Sequence, residues 1–89
     1  MSRLSVALHN DVNALCLLRD ELALQASLLS AELKDRWAAL EDKFAALKTQ
    51  LRHAEAAAGK SRQELEAGAR LMLDTLRAGY TEIKKALGC

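Results

Sequence analysis

Apolar residues recur along the first two thirds of the chain in the alternating four- and three-residue steps of a helical seam. Leu8, Val12, Leu15, Leu22, Ala26, Leu29 and Leu33 keep this spacing, with Arg19 occupying one seam position. One extra four-residue step, Leu33 to Trp37, acts as a stutter that locally unwinds a supercoil, and the pattern resumes through Leu40, Phe44, Leu47, Leu51, Ala54 and Ala58. The spacing predicts a single helix over about residues 11–57, roughly 70 Å long at the helical rise per residue. Its start is open between Arg3 and Asp11, since Ser5, Asn10 and Asp11 can each cap.

A second apolar stripe follows Gly59: Leu65, Ala69, Met72, Leu76, Tyr80, Ile83 and Leu87. Its steps approach an eleven-residue repeat and predict a nearly straight helix over about residues 62–87. Leu71 and Leu73 flank the stripe and widen it, so this helix is expected to touch more than one neighbour. Gly68 and Gly79 lie beside it, where the absence of a side chain lets another helix come close.

Residues 58–61 predict a turn between the two helices. Gly59 can take the left-handed conformation that ends a helix, and Ser61 with Glu64 forms the S-x-x-E box that starts one. So short a connection makes the helices antiparallel neighbours, and positions whose numbers sum to about 120 then face each other. Trp37 meets Ile83, Leu40 meets Tyr80, Phe44 meets Leu76, Leu47 meets Met72, and Leu51 meets Gly68 or Ala69. Leu65 extends this face. An unbroken helix is the competing reading, but its seam would pass through Ala54, Ala58, Ser61 and Gly68 and would be weak.

A helical hairpin leaves the N-terminal half with an unmatched apolar face, and such a face needs a partner. Leu8, Val12, Leu15, Leu18, Leu22 and Leu29 are therefore the expected oligomer interface, pairing two copies into a dimeric helical bundle. The alternative is a break near Ser27–Ser30 and a three-helix bundle. The fold class is all-α in both cases, with residues 1–89 forming one domain.

Composition agrees with this pattern: the 89 residues include no proline and four glycines, and strong helix formers dominate. Charge is balanced within each segment as well as in total. Residues 1–30 hold two basic against three acidic side chains, 31–58 five against five, and 59–89 six against four. No basic block marks a nucleic-acid footprint, so no nucleic-acid partner is expected. No apolar run spans a bilayer, and His9, Asn10 and Asp11 interrupt any leader-like segment, so the expected location is cytoplasmic.

The stretch GKSRQELEAG (Gly59 to Gly68), followed by ARLMLDTLRAGY (Ala69 to Tyr80), resembles the C-terminal part of a family of short bacterial coiled-coil proteins labelled stress-response proteins. The family pattern runs SGEAWEELKAG-xxxAWxxLxxA. Gly59, Glu64, Leu65, Ala67, Gly68, Asp74 and Leu76 fit it, whereas Arg62 and Leu73 stand at its two tryptophan positions. The resemblance covers about thirty residues and implies a helical bundle without catalytic residues.

Catalytic chemistry finds little support in the residues. His9 and His53 lack a His, Cys or carboxylate one helical turn on, and Cys16 and Cys89 are far apart, so neither a metal site nor a disulfide is expected. Carboxylates such as Glu32 have basic neighbours at helical spacing, here Arg36, and read as surface pairs. GKS at 59–61 lacks the upstream glycine and the strand of a phosphate loop. Trp37, Phe44 and Tyr80 lie on the seam as core residues. The expected function is a non-catalytic oligomerisation or protein-interaction module, acting as a homodimer or higher homo-oligomer, with no cofactor. The alternative is a peripheral lipid- or polymer-surface binder using residues 4–33, a reading weakened by few basic residues and no tryptophan there.

Overall fold

The computed structural model describes residues 5–88 and contains three helices: α1 (Val6–Ala23), α2 (Ala31–Ala56) and α3 (Gly59–Gly88). A short 3-10 turn, Ala26–Leu28, separates α1 from α2. The fold is all-α, and α2 with α3 forms the expected antiparallel hairpin.

The single helix expected over residues 11–57 is interrupted, as in the three-helix alternative. α1 begins when Ser5 Oγ accepts from the Leu8 amide at 3.3 Å. At its other end the Gln25 amide donates to the Leu22 carbonyl at 2.9 Å, tightening the last turn, and Gln25 adopts φ −107°, ψ 6°. Leu29 is extended, and Ser30 then starts α2 by accepting from the Leu33 amide at 3.2 Å. Neither glycine nor proline is needed, because serines offer the backbone an alternative to continued helix. The heptad spacing survives the break because Leu22 before it and Leu29 after it enter the same core.

The second connection is shorter than expected. α2 ends at Ala56 with Ala57 extended (φ −87°, ψ 168°), and α3 begins at Gly59 rather than at residue 62. Gly59 has φ +62°, a conformation that glycine enters without penalty. That lets the chain reverse across Ala57 and Ala58. Ser61 and Glu64 consequently lie inside α3 rather than across its boundary, so the expected capping box does not open the helix.

Contacts along α3 fix the directions. The Ser5 amide donates to Glu66, Asp11 pairs with Arg70, and Glu21 pairs with Lys84, so α1 runs parallel to α3. Arg36 pairs with Glu82 and Gln50 donates to the Leu65 carbonyl, so α2 runs antiparallel. Both shorter helices pack along α3, the longest, in a body of 44 × 19 × 17 Å. The long dimension is about that of a thirty-residue helix, well short of the 70 Å rod.

The core explains where the unmatched apolar face goes. Leu8, Leu15, Leu22 and Leu29, seven residues apart, are buried together with Phe44, Leu47 and Leu51 of α2 and Ala69, Leu73, Leu76, Tyr80 and Ile83 of α3. Val12 and Leu18 are half-buried against this cluster. The residues expected to pair two copies thus pack within one chain, because the break at residues 24–30 folds α1 back onto α3. Each buried leucine contributes about 1.5–3 kcal/mol relative to exposure.

Candidate interaction surfaces

Beneath the surface, one polar junction ties the three helices together. Glu41 of α2 accepts from Arg19 Nε at 3.0 Å and from Tyr80 Oη at 3.1 Å on Oε1, and from Arg19 Nη2 at 2.5 Å on Oε2. Arg19 comes from α1 and Tyr80 from α3. The guanidinium also lies 5.6 Å from the Phe44 ring centroid, and the Lys48 ammonium 5.2 Å from it. Trp37 packs against Tyr80 with centroids 5.5 Å apart and planes at 51°. A planar fork satisfied by a carboxylate, with an aromatic face beside it, suits arginine and not lysine.

Electrostatics at this junction hold its charge states fixed. Hydrogen bonding from Arg19 keeps the Glu41 carboxyl below its ordinary range, and Glu41 in turn holds the Arg19 guanidinium charged. Burial, with the neighbouring Glu41 charge, pushes the Tyr80 phenol up. Burial likewise raises the Cys16 thiol, with Asp20 adding to it, which disfavours the thiolate that nucleophilic chemistry needs. The junction is therefore an acceptor saturated by donors, built to hold helices in register.

Outside the junction, charged clasps fasten α1 to α3. Arg70 donates to Asp11 at 2.5 Å, Arg77 approaches the same carboxylate at 3.9 Å, and Lys84 lies 3.6 Å from Glu21. Arg70 holds the Asp11 carboxyl below its usual range.

Among the described residues, two surfaces stand out as open. The first is the outer pole of α1, where Val6, Leu17 and Leu24 are 75%, 71% and 88% exposed. Their spacing of eleven and seven residues puts them on one line, opposite the buried Leu8, Leu15 and Leu22. Leu28, in the following turn, is similarly exposed. Asp20 and Glu21 stand between Leu17 and Leu24, one on each side of the line.

The second surface is the open groove between α2 and α3, on the side away from α1. One concavity, of about 330 Å³, is lined by Lys43, Leu71, Met72 and Thr75. Another, of about 420 Å³, is lined by Arg36, Ala39, Leu40, Lys43, Gly79 and Glu82. Lys43 belongs to both. Gly79 deepens the groove floor: a Cβ there would come within 2.5 Å of Leu40 Cδ2.

Among residues expected to pack within the chain, Phe44, Leu47, Leu51, Leu76, Tyr80 and Ile83 are buried, while Trp37, Leu40 and Met72 are half-buried against them. Leu65 is half-buried and its carbonyl holds the Gln50 amide. Of the two residues expected to widen the α3 stripe toward a second neighbour, Leu73 is fully buried and Leu71 is 70% exposed, and the pattern missed the Arg19–Glu41–Tyr80 junction. Its signals were present: an arginine on an otherwise apolar seam must find a carboxylate, and a buried tyrosine must place its hydroxyl. The expected pair Glu32–Arg36 forms at 3.4 Å.

No group of three or more His, Cys, Asp or Glu side chains that could hold a metal gathers among the described residues, and none of the described helices is long and apolar enough to cross a membrane. Cys89 lies outside the described residues. No protein-family model, no curated protein and no solved structure matches the chain.

Proposed function

We propose that this protein is a non-catalytic interaction module whose helical surfaces mediate self-association. The observation that carries the reading is the line of Val6, Leu17 and Leu24 on the outer pole of α1, with Leu28 beyond it, left exposed after the core has been completed. Large exposed apolar side chains placed at helical spacing are what one helix offers another, and isolated ones scattered over a surface would not share a line. The resemblance of Gly59 to Tyr80 to short coiled-coil proteins implies a helical bundle without catalytic residues, and a role in stress physiology would be an extension of the reading.

Lipid-surface binding has less in its favour. The only basic residue of α1, Arg19, is held by Glu41 and Asp20, whereas the exposed leucines are flanked by acidic side chains that an anionic membrane repels.

Sedimentation equilibrium over a wide concentration range tests the proposal. The average mass is expected to rise above that of one chain, and Leu17→Glu with Leu24→Glu is expected to return it to one chain without loss of helical content. A single-chain mass at every concentration would remove the reading.

A further inference from the structure

Three features stand apart from the apolar core: the Arg19–Glu41–Tyr80 junction, the outer line of α1, and the α2–α3 groove. In the junction Arg19 and Tyr80 both donate to Glu41, and neither concavity of the α2–α3 groove touches it. The other two surfaces, taken together, fit each other.

We infer that the chain associates head to tail, with the outer pole of α1 from one copy seated in the α2–α3 groove of the next. This rests on the self-association reading above and specifies its geometry. The two surfaces match in pitch. Leu17 and Leu24 are seven residues apart, which places them about 10 Å apart along α1. On α3 the first concavity is lined by Leu71, Met72 and Thr75 and the second by Gly79 and Glu82, so the seven-residue step from Met72 to Gly79 leads from one into the other. Two leucine knobs therefore meet two holes, each large enough for a leucine side chain.

They also match in charge. Asp20 and Glu21 lie between Leu17 and Leu24, and Lys43 lies between the two concavities, lining both. Each acid already has one cation of its own chain beside it, Arg19 at 3.2 Å and Lys84 at 3.6 Å, but the two side chains stay 68% and 54% exposed and can accept from a second. Lys43 makes no ion pair among the described residues, and the only acid lining the groove, Glu82, is already matched by Arg36 at 3.8 Å. Seating the leucines brings the two carboxylates to the lysine. Because the charges lie midway between the knobs and midway between the holes, the match holds for either direction of the incoming helix.

The same charges oppose the simplest alternative, a symmetric pairing of two α1 poles. An antiparallel pair that sets Leu17 against Leu24 also sets Asp20 against Glu21, and a parallel pair brings the same carboxylates together at the flanks. Four acids then crowd the contact, offset only by Arg19, which Glu41 already holds, and by Lys84 at the edge of each pole, and like charges face to face are destabilising. A basic-centred groove removes that conflict.

Geometry then dictates the form of the assembly. The groove and α1 lie on opposite sides of the α2–α3 pair, so one copy can give its α1 pole to one neighbour and receive another in its groove. A heterologous contact of this kind forms rings when the rotation closes and open filaments when it does not.

A mixing experiment tests this with the full chain. Leu17→Glu with Leu24→Glu disables the pole, and Lys43→Glu with Leu71→Glu disables the groove; the four side chains are exposed, so both proteins should retain wild-type circular dichroism. Each variant alone is expected to weaken self-association at least about tenfold. Mixed, they are expected to form a one-to-one complex, because the first keeps an intact groove and the second an intact pole. Wild type is expected to grow beyond two copies with concentration and to weaken with salt. If the groove variant associates as wild type does, and mixing yields nothing new, the contact is a symmetric one between α1 poles. That outcome overturns the head-to-tail geometry and leaves the self-association reading standing. A wild type that stays a single chain overturns both.

Discussion

The α2–α3 hairpin and the α1 helix docked beside it are held by different chemistry. Where α2 meets α3, small residues bring the backbones close: Gly79 against Leu40 and Gly68 against Gln50. Where α1 meets α3, three leucines at strict seven-residue spacing, Leu8, Leu15 and Leu22, enter the shared core, and charged clasps at Asp11 and Glu21 fasten the contact, while Arg19 ties α1 to Glu41 of α2. The hairpin is closed by a two-residue turn, whereas α1 reaches its place through the looser segment Leu24–Ser30. α1 is thus the element that can leave while the rest remains, in the sense that local stabilities differ within one fold.

The largest effects come from breaking that contrast in the core. Leu76→Ala removes a buried side chain from α3, the helix on which both others pack, and should cost about 2–5 kcal/mol by lost burial and cavity formation. Leu15→Ala should cost a similar amount, but its consequence should be local. Amide exchange in Leu15→Ala is expected to rise throughout α1 while α2 and α3 stay protected, whereas Leu76→Ala should raise exchange in all three helices. Uniform exchange in both variants would mean that the three helices open as one unit and that α1 is no separate element.

This asymmetry also explains what the sequence made legible. The hairpin could be read because a glycine at residue 59 stands between two apolar stripes, and because residues facing across it sum to nearly the same number; Gly79 beside Leu40 sums to 119, while Trp37 packs on Tyr80, a sum of 117, about one turn short of the Ile83 expected opposite it. The start of α1 at Ser5 was among the readable caps. The break before Ser30 was not marked, because Leu22, Ala26, Leu29 and Leu33 keep their period through it and a period reports facing, not continuity. Given an unbroken helix, the leucines of α1 had nothing within the chain to cover them and were assigned to another copy. The outer line Val6, Leu17 and Leu24 became visible only once the inner line had been filled from within.

A smaller effect is expected at the junction. Glu41→Gln keeps the shape of the side chain but removes the charge that Arg19 and Tyr80 share, and with Arg19 about a third exposed the loss should be about 1–2 kcal/mol. The pH dependence distinguishes this from a general packing defect. Glu41 is depressed in the folded chain by Arg19, so its stabilisation is complete above the ordinary glutamate value of about 4.3 and fades as pH falls through the folded value. The stability gap between wild type and Glu41→Gln, measured by urea titration, should therefore narrow in acid. A gap that stays constant to low pH would mean that the ionised carboxylate contributes nothing. Tyr80 acts in the opposite direction: its phenol is raised, so its stabilisation is full below about 10 and is lost as pH rises beyond that.

The smallest effects divide the hairpin itself. Replacing either interior glycine by alanine gains about 1 kcal/mol of helix propensity, and the neighbour decides whether the gain survives. At Gly79 the new methyl would meet Leu40 at Cδ2, Cδ1 and Cγ, at 2.5, 3.0 and 3.3 Å, so the whole isobutyl group must move against the core at a cost of about 1–3 kcal/mol. Gly79→Ala should therefore be neutral to destabilising, and it should also fill the groove concavity that Gly79 lines. At Gly68 the obstacle is the terminal amide of Gln50, which can swing away and forfeit only its hydrogen bond to the Leu65 carbonyl, worth about 1 kcal/mol. Gly68→Ala should leave stability unchanged within a few tenths of a kcal/mol, since gain and loss nearly cancel. Parallel denaturation of the two variants reads the difference directly. Equal stabilities would show that Leu40 relaxes as freely as Gln50, and that the close approach at Gly79 is no tighter than its counterpart nearer the turn.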